Sequence, residues 1–140
     1  MRIEHTIEID APIQRVWEVT LDVESWAKHT PTIESIERLD DGPITIGSQA
    51  RIKQPGQGAK VWTVSQLDRQ KRFAWSTKAF GATMTGDHLL EAKDDHATRN
   101  TLAIEMNGGL APVVGALLRR PILAAITKEN KGFKAAAETN

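Results

Sequence analysis

Apolar and polar residues alternate along most of the chain, which is the pattern of half-buried β-strands. Turn-forming residues, such as the Asp-Asp-Gly-Pro run at 40–43, separate consecutive segments. The predicted strands span residues 2–9, 33–39, 47–54, 59–67, 73–77, 83–92 and 98–106. Because the later strands follow one another through short turns, we expect an antiparallel sheet.

Two short helices are predicted between the first and second strands. Pro12 suits the first helical turn, where a missing N–H costs nothing, and an apolar face follows at Ile13, Val16, Trp17 and Leu21. Asp22 is a good N-cap for a second short helix that ends near Lys28. Pro31 stops this helix before the second strand begins.

The segment 110–140 is the only long helix candidate. Its apolar residues recur every three or four positions, at Val114, Leu117, Leu118, Ile122, Ala125, Ile126 and Phe133. Pro121 lies inside this pattern and predicts a kink or a short break. Glu129 shares the apolar face, and a carboxylate there is the sharpest anomaly in the sequence.

The order of elements predicts an α+β fold in one domain, residues 1–140. An antiparallel sheet has one face to cover, and the long helix is the only predicted element able to cover it. A strongly curved sheet does not close tightly around one helix. We therefore expect a cavity between the two.

Composition narrows the classes of function. Apolar residues make up 40% and charged residues 26%, and the formal net charge is zero. This balance argues against a nucleic-acid binder and against electrostatic docking to anionic membranes. No apolar run is long enough for membrane insertion. The N-terminal residues enter a strand without a signal-peptide core, so we expect a cytoplasmic protein, either a monomer or a homodimer.

Several short stretches resemble the START-like (SRPBCC) superfamily, and in particular its polyketide cyclase/dehydrase and lipid-transport branch. They are APIQRVWEVTLDVESWAKHTP, GSQARIKQPG, VWTVSQLD, RFAWST and GDHLLEA, in that order. The resemblance covers the whole chain and implies the helix-grip fold, a seven-stranded curved antiparallel sheet wrapped around a long C-terminal helix, with two short helices after the first strand. It also implies a cavity for a hydrophobic ligand. Members bind lipids, hormones or polyketides, and a minority catalyse cyclisation or dehydration.

We predict a small hydrophobic ligand, lipid-like, aromatic or polyketide-like, and no cofactor. The predicted lining from the sheet is Trp62, Phe73, Trp75, Met84, His88, Leu90, Leu102, Ile104 and Met106. The predicted lining from the helix is Ile122, Ile126, Glu129 and Phe133. The loop 54–59 and the proline at 121 are the expected gates, because turns and kinks open most easily.

His88 and Glu129 leave two interpretations open. In one, they are the acid and base of a cyclase or dehydratase, because a histidine and a carboxylate suffice for proton abstraction next to a carbonyl. In the other, each is a buried polar group whose hydrogen bonds are simply satisfied by the fold. A third function, a module that docks on a partner protein, predicts an exposed apolar patch and a filled cavity.

The remaining polar residues suggest no site. His5, His29 and His96 have no metal-binding spacing, and we interpret all three as surface residues. Arg51 should point outward by its position in the strand, although a bulge near Pro55 could reverse it. No cysteine, phosphate-binding loop or metal motif occurs in the sequence.

Overall fold

Seven strands form one curved antiparallel sheet in the computed structural model, which describes residues 1–79 and 81–139. The strands are β1 (Arg2–Ile9), β2 (Ser35–Arg38), β3 (Gln49–Lys53), β4 (Lys60–Asp68), β5 (Arg72–Ala79), β6 (Ala82–Ala92) and β7 (Thr98–Asn107). Their spatial order is β1-β7-β6-β5-β4-β3-β2. Two short helices, α1 (Ile13–Leu21) and a 3₁₀ helix (Val23–Lys28), follow β1, and the long helix α2 spans Ala111–Glu138. The predicted helix-grip fold is confirmed.

Cross-strand register brings the inward-facing residues into rows. Trp75 of β5 pairs with Gly86 of β6, which in turn pairs with Ile104 of β7. Two residues further along β6, His88 pairs with Phe73 of β5 and with Leu102 of β7. Because side chains alternate between the two faces of a strand, both rows point toward α2.

A β-bulge in β4 keeps the tryptophan of that strand in phase with its neighbours. Val64 pairs with Trp75 and Gln66 pairs with Ala74, so Ser65 is the extra residue. Trp62 and Val64 are both buried on the inner side as a result. The alternation of apolar and polar residues in the sequence does not predict this bulge.

The long helix continues through Pro121, so the predicted short break is wrong. Pro121 lies inside a 28-residue helix and removes one N–H donor without ending it. Contacts with β1, β7 and α1 hold the helix in place. Tertiary packing therefore outweighs the local cost of the proline.

A buried amide joins α2 to the sheet. The side chain of Asn130 accepts a hydrogen bond from the Asn100 amide at 2.8 Å. Its own amide group lies 3.0 Å from the His5 Nδ1, 3.0 Å from the His5 carbonyl oxygen and 3.1 Å from the Asn100 carbonyl oxygen. These contacts fix the rotation of α2 about its axis and its position along that axis relative to β1 and β7. They also correct the expectation that His5 is a surface residue.

Candidate functional site

A cavity of about 260 Å³ lies between the sheet and α2. The sheet contributes residues from β3, β4, β5, β6 and β7, and α2 contributes one face from Leu118 to Phe133. Of the lining residues, Gln57 and Pro121 are exposed. The cavity therefore reaches the surface between the β3–β4 turn and the middle of α2.

Aromatic rings close the inner end of the cavity. Trp26, from the 3₁₀ helix, lies 5.2 Å from Trp75 and 5.2 Å from Phe133, measured between ring centroids. Its indole N–H donates to the Val19 carbonyl oxygen, which fixes the ring. Trp62 and Trp75 stand side by side with centroids 6.1 Å apart. Gly86 faces both rings, and a Cβ at this position would lie 3.5 Å from Trp75 and 3.6 Å from Trp62, which is ordinary van der Waals contact.

His88 is a buried imidazole within this aromatic cluster. Its ring centroid lies 4.9 Å from Trp26 and 5.5 Å from both Phe73 and Phe133. Burial lowers its pKa from 6.5 to about 4, against a weaker raising effect of Asp87. The ring is therefore neutral at neutral pH. Its Nδ1 atom is buried and has no hydrogen-bond partner among the described residues.

Glu129 is half-buried on the cavity face of α2. Burial raises the pKa of its carboxyl group from 4.5 to about 7, and a hydrogen bond with Thr32 opposes part of this shift. Near neutral pH the group is thus close to half protonated. A carboxylic acid in this state can either donate or accept a proton.

His88 and Glu129 line one cavity without forming a pair. Desolvation and Asp87 perturb the histidine, whereas desolvation and Thr32 perturb the glutamate. Neither group perturbs the pKa of the other. Glu129 makes a hydrogen bond with Thr32, so its interpretation as a buried polar group satisfied by the fold stays a prediction.

Most of the predicted lining residues lie on the cavity wall. They are Trp62, Trp75, Met84, His88, Leu102, Ile104, Ile122, Ile126, Glu129 and Phe133. Three others are corrected, because Phe73, Leu90 and Met106 lie outside the wall. Phe73 and Leu90 belong to the main core, and Phe73 is wholly buried behind the aromatic cluster. Met106 packs with Ala82 and Ala111 where β7 leads into α2.

Sequence reasoning missed the part of the wall that comes from outside the regular strands. These residues include Trp26, His29 and Thr30 after α1. The expectation that His29 is a surface residue is therefore wrong. Gln54 and Gln57 also line the cavity, within the loop 54–59 that was expected to be a gate. Periodicity gives no direction for side chains in a 3₁₀ turn or a loop, although a tryptophan four residues after the predicted N-cap Asp22 was a usable signal.

The other polar candidates lie away from the cavity. Arg51 is exposed and pairs with Glu37 across β2 and β3 at 2.6 Å, which settles its outward orientation. His96 is exposed in the turn after β6. Within residues 1–79 and 81–139, no group of three histidine, aspartate or glutamate side chains is placed to hold a metal ion. In the same residues, no helix is both long enough and apolar enough to cross a bilayer.

Known proteins share this arrangement. The sequence profile of the family described as polyketide cyclase/dehydrase and lipid transport matches residues 1–138. The Zhui aromatase/cyclase from a Streptomyces species superposes with a TM-score of 0.71 at 22% identity, over 99% of this chain and 91% of that one. A START superfamily protein from Mycobacterium smegmatis gives 0.75 at 16% identity, over 96% and 97%. A hypothetical protein from Helicobacter pylori gives 0.81 at 15% identity, over 98% and 88%. No curated protein is similar enough in sequence to match this chain.

Proposed function

This chain belongs to the polyketide cyclase/dehydrase and lipid transport family, and on that premise we propose that it binds a small, mainly apolar molecule in the cavity between the sheet and α2. The observation that carries the proposal is the cavity itself, which is open to the surface and closed by aromatic rings at its inner end. Its volume of about 260 Å³ lies just below the range of about 300–1,000 Å³ typical of pockets for drug-sized ligands. We therefore favour a compact ligand, such as a two- or three-ring aromatic.

The polar groups of the cavity indicate which polar groups such a ligand should have. The Nδ1 atom of His88 is buried without a partner, and an unpaired buried donor is costlier than an unpaired acceptor. We therefore expect the neutral ring to keep its proton on Nε2. A ligand oxygen that accepts a hydrogen bond from Nε2–H, as a phenol or ketone oxygen can, would pair the donor of the imidazole.

Native mass spectrometry of the purified protein, followed by solvent extraction, tests the proposal directly. We expect a reproducible extra mass that belongs to an apolar molecule. A second test compares 2-naphthol with naphthalene by the rise in melting temperature, because a ligand that binds only the folded state stabilises it. If neither probe raises the melting temperature and the extract is empty, the binding proposal fails.

A substitution then tests the role assigned to the imidazole. His88→Phe keeps a flat ring of similar shape but removes both nitrogens. The variant should lose the preference for 2-naphthol over naphthalene while still binding naphthalene. His96→Phe, at an exposed turn position, is the matched control and should leave the preference unchanged.

The second candidate is an enzyme of the cyclase or dehydratase type. Its supporting observation is that Glu129, with a pKa of about 7, is suited to exchange protons near neutral pH. Dehydration of the extracted ligand would appear as a product lighter by one water. Glu129→Gln should then keep ligand affinity but lose turnover by about 100-fold, whereas Glu18→Gln on exposed α1 should not. Equal turnover in the two variants would rule out Glu129 as the acid or base.

A further inference from the structure

The outward face of α2 changes character halfway along the helix. In the C-terminal half it carries Lys128, Lys131 and Glu138, all exposed, as expected for a helix face in water. In the N-terminal half it carries Val113, which is 58% exposed, and Leu117, which is 75% exposed. Leu110, at the start of the helix, is 65% exposed. Large apolar side chains at this spacing form a continuous stripe rather than isolated surface residues.

This stripe is separate from the side of α2 that faces the cavity. At about 100° per residue, Val113 and Leu117 lie roughly 100–180° around α2 from Leu118 and Ile122, which line the cavity. The helix therefore buries one apolar face and exposes another over the same turns. Folding of this chain alone cannot account for the second face.

The charges around the stripe indicate the partner. Between Met106 and Thr127 the only charged residues are Arg119 and Arg120, and both are exposed. The chain as a whole has no net charge, so this local cationic region is invisible in the overall balance. The combination of exposed leucine and valine with arginine and no carboxylate is typical of helices that lie in the interface of an anionic bilayer.

The stripe also adjoins the opening of the cavity. Pro121, which is exposed and lines the cavity, lies one turn from Leu117 on the same helix. A planar surface that touched the stripe would therefore lie beside the cavity mouth. A bilayer suits this geometry better than a protein groove, because among the outward residues Val113, Ala116, Leu117, Arg120 and Ala124 the single hydrogen-bonding group is the Arg120 guanidinium, whose charge matches a lipid phosphate.

We propose that residues 110–124, the N-terminal half of α2, dock in the interface of an anionic phospholipid bilayer. The apolar side chains enter the boundary between headgroups and acyl chains, and Arg120, on the same side of the helix, contacts lipid phosphates. Arg119, further round the helix, adds positive charge near the bilayer surface. This docking does not require the cavity to be occupied. The zero net charge of the whole chain led us to expect no electrostatic docking. The proposal relies instead on the local positive charge of residues 110–124.

Cosedimentation of the full chain with vesicles tests the proposal. The vesicles are made of phosphatidylcholine alone, or of phosphatidylcholine and phosphatidylserine in equal parts. We expect binding to the mixed vesicles, weaker binding to the neutral ones, and a decrease when salt is added. The double variant V113S/L117S should bind at least about 10-fold more weakly, and R119Q/R120Q should lose a similar factor on the mixed vesicles only.

The double variant K128Q/K131Q is the matched control, because it removes the same charge from the outward face of the same helix, beyond the docking segment 110–124. The lysine variant should keep most of the vesicle binding. If R119Q/R120Q and K128Q/K131Q lost equal amounts of binding, the binding would be non-specific electrostatic attraction, and the proposal would be overturned. Since the substituted side chains are exposed, the melting temperatures should not change. Absence of vesicle binding also overturns it. A dimer in gel filtration that V113S/L117S dissociates would then assign the stripe to a second copy, and a monomer would assign it to a protein partner.

Discussion

At the scale of single residues, the cavity combines two titratable groups that burial shifts in opposite directions. His88 resists protonation and Glu129 resists ionisation, because each charged form would lose its hydration. Both groups are therefore mostly uncharged between about pH 4 and pH 7. His88 and Glu129 therefore add little charge to the cavity wall in this range, where the carboxylate of Asp87 is paired with Arg72.

These shifts predict opposite slopes in the pH dependence of the free energy of unfolding. The folded pKa of Glu129, about 7, exceeds its ordinary 4.5, so the folded state holds this proton more tightly and stability falls as the pH rises between these values. The folded pKa of His88, about 4, lies below its ordinary 6.5, so the unfolded state takes up this proton first and stability falls as the pH drops between them. Each effect is at most on the order of 3–4 kcal/mol, and the two largely cancel where their ranges overlap.

Single variants should separate the two slopes. Relative to the unmodified protein, Glu129→Gln should gain stability as the pH rises from 4.5 to 7, and His88→Phe should gain it as the pH falls from 6.5 to 4. Urea midpoints measured at intervals across this range provide the comparison. Variant curves that run parallel to the original would contradict the assignment of these pKa values.

The amide of Asn130 supports a second residue-scale prediction. Asn130→Ala removes the contacts with His5 and leaves the buried Asn100 side chain without its partner. We expect a loss of about 2–4 kcal/mol in the free energy of unfolding. Lys131→Ala, at the exposed neighbouring position, should change it by less than about 0.5 kcal/mol. A small loss in both variants would show that the amide does not join the helix to the sheet.

At the scale of elements, two glycines of α2 should respond in opposite ways to the same substitution. A Cβ at Gly132 would lie 2.4 Å from the backbone carbonyl oxygen of His29, so helix and backbone cannot both keep their positions. A Cβ at Gly115 would meet the end of the Met1 side chain, which can rotate away. Gly132→Ala should therefore cost about 1–3 kcal/mol, whereas Gly115→Ala should be neutral or gain up to about 1 kcal/mol from helix propensity.

Thermal unfolding of the two variants checks this pair. Because both substitutions add the same methyl group to the same helix, the difference between them reports only the surroundings. Equal destabilisation would mean that Met1 is held in place as firmly as backbone. Equal stabilisation would mean that the 3₁₀ helix does not pack closely on α2.

The strands could be predicted from the sequence because alternation is a local property that the inner face of a sheet imposes directly. The predicted segment 2–9 coincides with β1, and that at 98–106 differs from β7 by one residue. The bulge at Ser65 and the continuity of α2 through Pro121 depend on partners elsewhere in the chain, and no local pattern contains them. Trp26 and Gln54 reach the cavity from a 3₁₀ turn and a loop, where no period fixes the direction of a side chain.

The helix also shows why Asn130 was missed. A helix wrapped by a curved sheet is covered over a wide arc, so residues on two adjacent sides contact protein. Glu129 faces the cavity, and Asn130, rotated by 100°, faces β1 and β7. A pattern analysis that assumes one inward stripe detects only the first of the two.

At the scale of the whole molecule, α2 divides the space under the sheet into a filled part and an empty part. Near its C-terminal end, Ala137 is 3% exposed in the main core. Near its middle, Ala125 faces the cavity and is half-buried. The same small residue therefore meets close packing in one place and free volume in the other.

Enlarging these two alanines tests that division. Ala125→Leu adds apolar atoms to a cavity of about 260 Å³, so the melting temperature should stay constant or rise by a few degrees, about 1 kcal/mol of added burial. Ala137→Leu has no such space and should lose about 1–3 kcal/mol through overpacking. Ala125→Leu should also weaken the binding of 2-naphthol, because the leucine occupies ligand volume. If both variants were destabilised alike, the space between sheet and helix would be a compact core, and the bound molecule would have to be sought on the surface.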